Sequence, residues 1–225
     1  DFSTMYARVK KLSNIRLEGV FTHFPSAEKD IKGTTGQAAS FLKTVGPCAT
    51  NILYHCANSA ALINSPGLRM DMVRPGLMLY GLYPAGTEKK LKLEPALSLK
   101  TRVVQVKKIK KGGRVSYGGT YRAKQDTLLA AIPAGYGDGF SRLLSNRGEV
   151  IIRGKKYPVA GRVCMDITMI DLGLKGGIKT GDEVVLIGKQ GKSSITAENV
   201  AAACGTISYE TVCAINKNIE RIYKN

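Results

Sequence analysis

Apolar and polar positions alternate in two different ways along this chain. Over residues 1–84, strand-like runs and helical patterns take turns. RLEGVFTHF (16–24) reads as a buried strand ending in a polar loop. TTGQAASFLKTV (34–45) repeats its apolar positions with the 3.6-residue period of an amphipathic helix. NILYHC (51–56) predicts a second strand, 58–63 opens a helix on the turn Asn-Ser-Ala-Ala, and MVRPGLMLYGL (72–82) predicts a third strand. Strand–helix–strand–helix–strand without a hairpin signal points to parallel α/β structure. Three strands are too few to close a barrel, but they fit the last units of one.

Beyond Pro84 the pattern changes to short β runs at 96–109, 127–133, 149–152, 157–163, 167–171 and 183–187. Gly-containing turns at 111–113, 153–156 and 180–182 separate some of them. This spacing predicts an antiparallel barrel or sandwich. A helix over 196–203, N-capped by Thr196, follows it. The expected organisation is an α/β piece over 1–84 and a β domain over 85–225.

Composition narrows the class. With 44% hydrophobic and 23% charged residues in 225, the chain can build a core, and global disorder is excluded. No apolar stretch reaches the ~18–20 residues of a membrane span. The opening DFSTMYARVKKLSN lacks the apolar core of a signal peptide. The net charge of +17 is uneven: residues 1–84 hold 9 basic and 5 acidic side chains, residues 85–225 hold 25 and 12. Such an excess fits nucleic acid, an anionic membrane surface or an anionic small molecule. The basic residues cluster in hairpin-like KKIKKGGR (107–114) and RGKKYP (153–158), without the stacking aromatics of an RNA-binding sheet, so they read as solvated hairpin surface. Cys48, Cys56, Cys164, Cys204 and Cys213 form no CxxC pair. That argues against a disulfide framework or a structural zinc site, and for a reducing cytoplasm with most of the cysteines as small core residues.

Candidate chemistry sits where parallel strands end, the usual ligand side of an α/β fold. His23 follows GVFT, Ser59 follows HCAN, and Arg74 lies inside an apolar run, where a cation is costly unless it meets an acceptor. Asn58-Ser59-Ala60 at a helix start suits a phosphate, and Pro75-Gly76-Leu77 can bring backbone N–H groups to the same anion. Taken singly, His23 reads equally as a core histidine and Ser59 as a plain N-cap. In the β part, VSYGGTY (115–121) and PAGYGDGF (133–140) embed Tyr117 and Tyr136 in glycines, and Cys164-Met165-Asp166 follows AGRV. A tyrosine near cations can act as an acid or base, or simply cap a β turn.

Taken in order, LEGVFTHF, HCANSAA, VRPGLMLYGLYP, VSYGGTY, AGYGDGFSR, VAGRVCMDITMIDL, GDEVVLIG and ISYE resemble the C-terminal part of the alanine racemase family, enzymes that use pyridoxal 5'-phosphate (PLP). The resemblance runs from about residue 17 to 210 and implies the last strands and helices of a PLP-binding TIM-type barrel followed by a C-terminal antiparallel β domain. It gives Tyr117 the role of the base that removes the α-proton of the L-amino acid, with His23 hydrogen-bonding that tyrosine. Arg74 contacts the pyridine nitrogen, while Ser59, Gly76, Leu77 and Tyr209 contact the phosphate. The Met165 backbone receives the substrate carboxylate, and Tyr136 narrows the entrance. The family's active site is shared across a homodimer, Tyr117 and the Met165 segment coming from the partner's β domain.

The family's other base, a PLP-anchoring lysine in an Ala-Asn-Ala-Tyr-Gly context, has no matching segment here, nor do its central-barrel arginine and modified lysine. The expectation is a fragment that does not racemise by itself. The expected reaction of the whole protein is interconversion of L- and D-alanine for peptidoglycan precursors. Alternatives are a serine or broad-specificity racemase of the same family, a basic β-barrel binding module, and a non-catalytic PLP-binding or dimerisation remnant.

Overall fold

Side chains that cap helix ends set the first elements. In a computed structural model of the chain, which describes residues 1–46, 51–84, 86–87, 91–174 and 177–224, the helix expected from residue 34 begins earlier, because Asp30 Oδ1 accepts the Gly33 N–H at 2.8 Å. Cys48 lies outside the described residues. The chain divides into two compact units, Asp1–Glu94 and Pro95–Asn225.

The first unit contains α1 (Phe2–Lys10), β1 (Gly19–Phe21), α2 (Ile31–Val45), β2 (Leu53–His55) and α3 (Ser59–Asn64). β1 and β2 pair in parallel, with Val20 opposite Tyr54. Asn58 caps α3 by accepting the Ala61 N–H at 3.0 Å, while its amide donates to the Phe24 carbonyl at 3.2 Å. Phe24, Ala27, Ala38, Cys56, Ala57, Ala60 and Ala61 form one core cluster here, and the small side chains of its alanines let α2 and α3 approach the strand ends around the buried Phe24 ring.

The third strand expected over 72–82 does not form. Arg74 makes a single parallel bridge with Asn58, its N–H donating to the Ala57 carbonyl at 2.8 Å. Pro75 then offers no N–H to extend the ladder, and Leu77–Tyr80 winds into a 3-10 turn. Among the described residues no barrel closes in this unit; its sheet is the β1–β2 pair.

The second unit contains β3 (Leu99–Arg102), β4 (Gln105–Ile109), β5 (Arg114–Val115), β6 (Tyr121–Arg122), β7 (Thr127–Ile132), β8 (Glu149–Ile152), β9 (Lys155–Pro158), β10 (Thr168–Gly173), β11 (Glu183–Gln190), β12 (Ser193–Ile195), α4 (Ala197–Cys204) and α5 (Ser208–Cys213). All its strand pairs are antiparallel. One sheet runs β10–β7–β4; another runs β12–β11–β8–β9 with β3 on β11; β5 pairs with β6. β8 and β11 are buried on both faces, so they read as unbroken apolar runs rather than alternating ones. Thr196 caps α4 as expected, its Oγ1 accepting the Asn199 N–H at 3.2 Å, and Asn199 Oδ1 accepts the Thr196 N–H at 3.0 Å in return.

Two expected β runs are interrupted. The run 96–109 becomes β3 and β4 in different sheets. The Val103 N–H turns to Asp182 and the next, Val104, to Ala131, so the chain changes sheets at that peptide. The run 157–163 starts two residues early and thins after Pro158 to one bridge, Val159 with Ile170. Gly161, at φ +89°, then takes the chain out of the extended region. Among the described residues no helix is long and apolar enough to cross a membrane.

Candidate active site

Within the first unit the ends of β1 and β2 converge on Arg74. Its Nη1 lies 2.5 Å from His55 Nδ1, and Nη2 donates to the Thr22 carbonyl at 2.8 Å and the Cys56 carbonyl at 3.3 Å. The Phe21 ring lies 5.2 Å from the guanidinium carbon and stacks on His55, centroids 5.3 Å apart. Guanidinium has no acceptor, so Nδ1 of His55 must accept and the ring proton sits on Nε2. Burial, and then the neighbouring Arg74 charge, hold the His55 pKa below its ordinary value. The Cys56 thiol is pushed up by burial, against a smaller opposing pull from Arg74. An arginine in an apolar run is satisfied here by one imidazole and two carbonyls, which answers the cost its sequence position raised.

Ser59 and Gly76 meet beside this group. Ser59 is only 2% exposed and its Oγ accepts the Gly76 N–H at 2.9 Å, which leaves the hydroxyl proton free to donate. Leu77 opens the 3-10 turn, so its N–H has no partner within that turn. Space beside Gly76 is open, with nothing within 4 Å of where a Cβ would stand. His23 is exposed at the end of β1. Gln37 of α2 holds that stretch by donating to Thr22 Oγ1 at 2.8 Å and to the His23 carbonyl at 3.0 Å. The His23 ring makes no hydrogen bond among the described residues.

In the second unit three loops come together, carrying Tyr117, Tyr136 and Met165. The Tyr136 N–H donates to the Cys164 carbonyl at 3.0 Å and the Gly137 N–H to the Met165 carbonyl at 2.9 Å. Gly135 is required by this approach: a Cβ there would stand 2.2 Å from both carbonyl oxygens. Ser116 Oγ donates to the Arg162 carbonyl at 2.7 Å, joining the Tyr117 turn to the segment that leads into Met165. Tyr117 is 72% exposed, and Tyr136 and Met165 are exposed as well. Tyr209 is exposed on α5 of the same unit. Thus Arg74, Ser59, Gly76 and Leu77 cluster in the first unit, with His23 near the same strand ends, and Tyr117, Tyr136 and Met165 cluster in the second.

The same two units correspond to two family models: "Alanine racemase, N-terminal domain" matches residues 1–84 and "Alanine racemase, C-terminal domain" matches 96–223. The chain belongs to the alanine racemase family. Among its relatives, alanine racemase of Halothermothrix orenii is 43% identical over 224 residues, covering 97% of this chain and 59% of that protein. The enzyme of Carboxydothermus hydrogenoformans is 46% identical over 222 residues, covering 96% and 60%. The solved alanine racemase of Streptomyces coelicolor A3(2) superposes with a TM-score of 0.92 at 33% identity, covering 100% of this chain and 60% of that one. The chain therefore spans about three fifths of the length of these relatives.

For this member of the alanine racemase family, sequence reasoning passed over His55, Ser116 and Gly135. His55 had a signal of the same kind as His23, since both stand at the end of a parallel strand. Ser116 and Gly135 had none, because what they do depends on segments far along the chain.

Proposed function

We propose that these residues are part of a PLP-dependent alanine racemase, which interconverts L- and D-alanine and supplies D-alanine for peptidoglycan precursors. The fixing of Arg74 carries this reading. One of its η nitrogens rests on a histidine nitrogen and the other on two main-chain carbonyls. A guanidinium so held is a permanently charged donor that does not reorient. Against a pyridine nitrogen it donates without surrendering its proton, so that nitrogen stays unprotonated.

The residues present suit PLP. Ser59 keeps a hydroxyl proton to give, Leu77 opens a helical turn in which its N–H has no partner, and Gly76 leaves room beside them; these would hold the phosphate. Tyr209 keeps the phosphate role that the resemblance implies. Bound there, PLP supplies a conjugated ring that delocalises the electron pair left when the α-proton departs.

In this reading Tyr117 takes the α-proton of the L-amino acid, and its exposed position suits a group offered to a partner's site. The Met165 N–H receives the substrate carboxylate; the carbonyl of Met165 is held by Gly137, next to the peptide that must stay aligned. Tyr136, tied to Cys164 in the same cluster, narrows the entrance, and His23 hydrogen-bonds the partner's tyrosine. The protein works as a homodimer with shared active sites, its first unit is the closing part of a TIM-type barrel, and its free thiols fit the cytoplasm. The second base is the family's PLP-anchoring lysine. No Ala-Asn-Ala-Tyr-Gly segment occurs in these 225 residues, so racemisation is proposed for the complete protein that carries them.

The test is to express the complete reading frame containing these residues with PLP and follow D-alanine formed from L-alanine by chiral chromatography, with L-serine alongside. Racemisation of alanine in preference to serine, sharply lowered in Tyr117→Phe, is expected. No turnover of either amino acid overturns the reading.

A further inference from the structure

The turn that carries Tyr117 is held at both ends by side chains that have no role in the reading above. Before it stands Ser116, at φ 63° and ψ −179°, a backbone region that glycine occupies freely and serine does not. A serine persists there only if its surroundings hold it, and its Oγ donates to the Arg162 carbonyl at 2.7 Å. The two segments are in backbone contact at this point: a Cβ on Gly161 would stand 2.8 Å from Ser116 Cβ and from the Val115 carbonyl. After the turn stands Tyr121, whose hydroxyl donates to Asp171 Oδ2 at 2.6 Å. Asp171 Oδ1 accepts from Thr127 Oγ1 at 2.5 Å and from the Gly173 N–H at 3.0 Å, so this anchor belongs to β7 and β10. Burial and the adjacent carboxylate push the Tyr121 phenol well above its usual range, so it stays a donor throughout the working pH range.

We infer that Ser116 and Tyr121 are positioning residues, which clamp the two ends of the Tyr117 turn onto the Met165-bearing segment and onto β10 and so fix the Tyr117 phenol relative to the Met165 peptide. This rests on Tyr117 being the base for the L-amino acid. Neither residue touches substrate in this account; both act through the turn between them.

The variants are Ser116→Gly, which removes the hydroxyl while adopting the same backbone freely, and Tyr121→Phe, which removes only the donor. Each is made in the complete, PLP-loaded protein, with Tyr117→Phe as the control. The expected result is a fall of about 10- to 100-fold in kcat with little change in KM, the cost of a misplaced catalytic group. The α-deuterium isotope effect should rise with L-alanine and fall with D-alanine, because proton removal by Tyr117 becomes more rate-limiting. A general loss of folded enzyme lowers both rates and moves neither isotope effect. A second readout needs no cofactor: in the 225-residue chain, amide hydrogen exchange over residues 116–120 should quicken in both variants. If Tyr117→Phe turns over alanine normally, the assignment of the base has failed. If Tyr117→Phe is inactive while both other variants keep wild-type kcat, isotope effects and exchange, the clamp alone is wrong. A variant that does not fold leaves the other to decide, because each removes one end of the same clamp.

Discussion

Arg74 Nη1 and His55 Nδ1 stand 2.5 Å apart, an arginine resting on a histidine that must be neutral to accept from it. Two cations would face each other if the imidazole gained a proton. The His55 pKa is accordingly lowered, by burial first and by Arg74 second. A lowered histidine pKa means the unfolded chain binds the proton more readily than the folded one. Stability is therefore expected to fall as pH drops below about 6.5, the ordinary imidazole value, and to level off once pH is below the folded-state value. Urea unfolding of the 225-residue chain at pH 7.5 and pH 5 measures this. His55→Gln should flatten that part of the profile; an unchanged slope would count against the neutral-acceptor arrangement.

Replacing Arg74 itself separates charge from geometry. Lysine keeps the charge but not the fork that reaches His55, Thr22 and Cys56 together. Arg74→Lys is expected to weaken PLP binding in the complete protein, read as cofactor absorbance retained after dialysis. Retention equal to the parent would show that the fork is dispensable.

At Gly135 the constraint is space. A methyl group would meet two carbonyl oxygens at 2.2 Å, both backbone, with no flexible end to move aside. Gly135→Ala is expected to destabilise the chain by about 1–3 kcal/mol or more, the usual cost of overpacking. It should also lengthen the bonds from Tyr136 and Gly137 to the Met165 segment. Denaturant midpoints and amide exchange at 136 and 137 check the two effects separately.

The core of the second unit gives a test that does not depend on function. Ile151, on β8 beside β11, has no exposed surface. Ile151→Ala removes buried methyl groups and leaves a cavity, for an expected loss of about 2–5 kcal/mol. The midpoint of urea unfolding should fall while its slope with denaturant stays the same. A loss below 1 kcal/mol would mean that the site collapses around the smaller side chain.

Local patterns were legible from the residues alone. The apolar runs of β8 and β11, the alternation along β10 and the Thr196 cap all follow from contacts within a few positions, so periodicity and side-chain chemistry suffice to find them. Arg74 stood out because a cation within an apolar run demands an acceptor, and the ordered motifs marked the family. The acceptor itself was not legible. The run around Arg74 looked like a strand until Pro75 broke the ladder, and His55 lies 19 residues away. Ser116 meets Arg162 across 46 positions and Tyr121 meets Asp171 across 50. The sequence by itself determined most of the β runs, the helices over 34–45, 58–63 and 196–203, the candidate donors and acceptors, and the family, but not α1, α5 or the 3-10 turn at Leu77–Tyr80. Only the tertiary structure decided which donor meets which acceptor, because such pairings depend on how β1 and β2 converge within the first unit and how the loops of Tyr117, Tyr136 and Met165 converge within the second, and nothing in the local periodicity encodes either convergence.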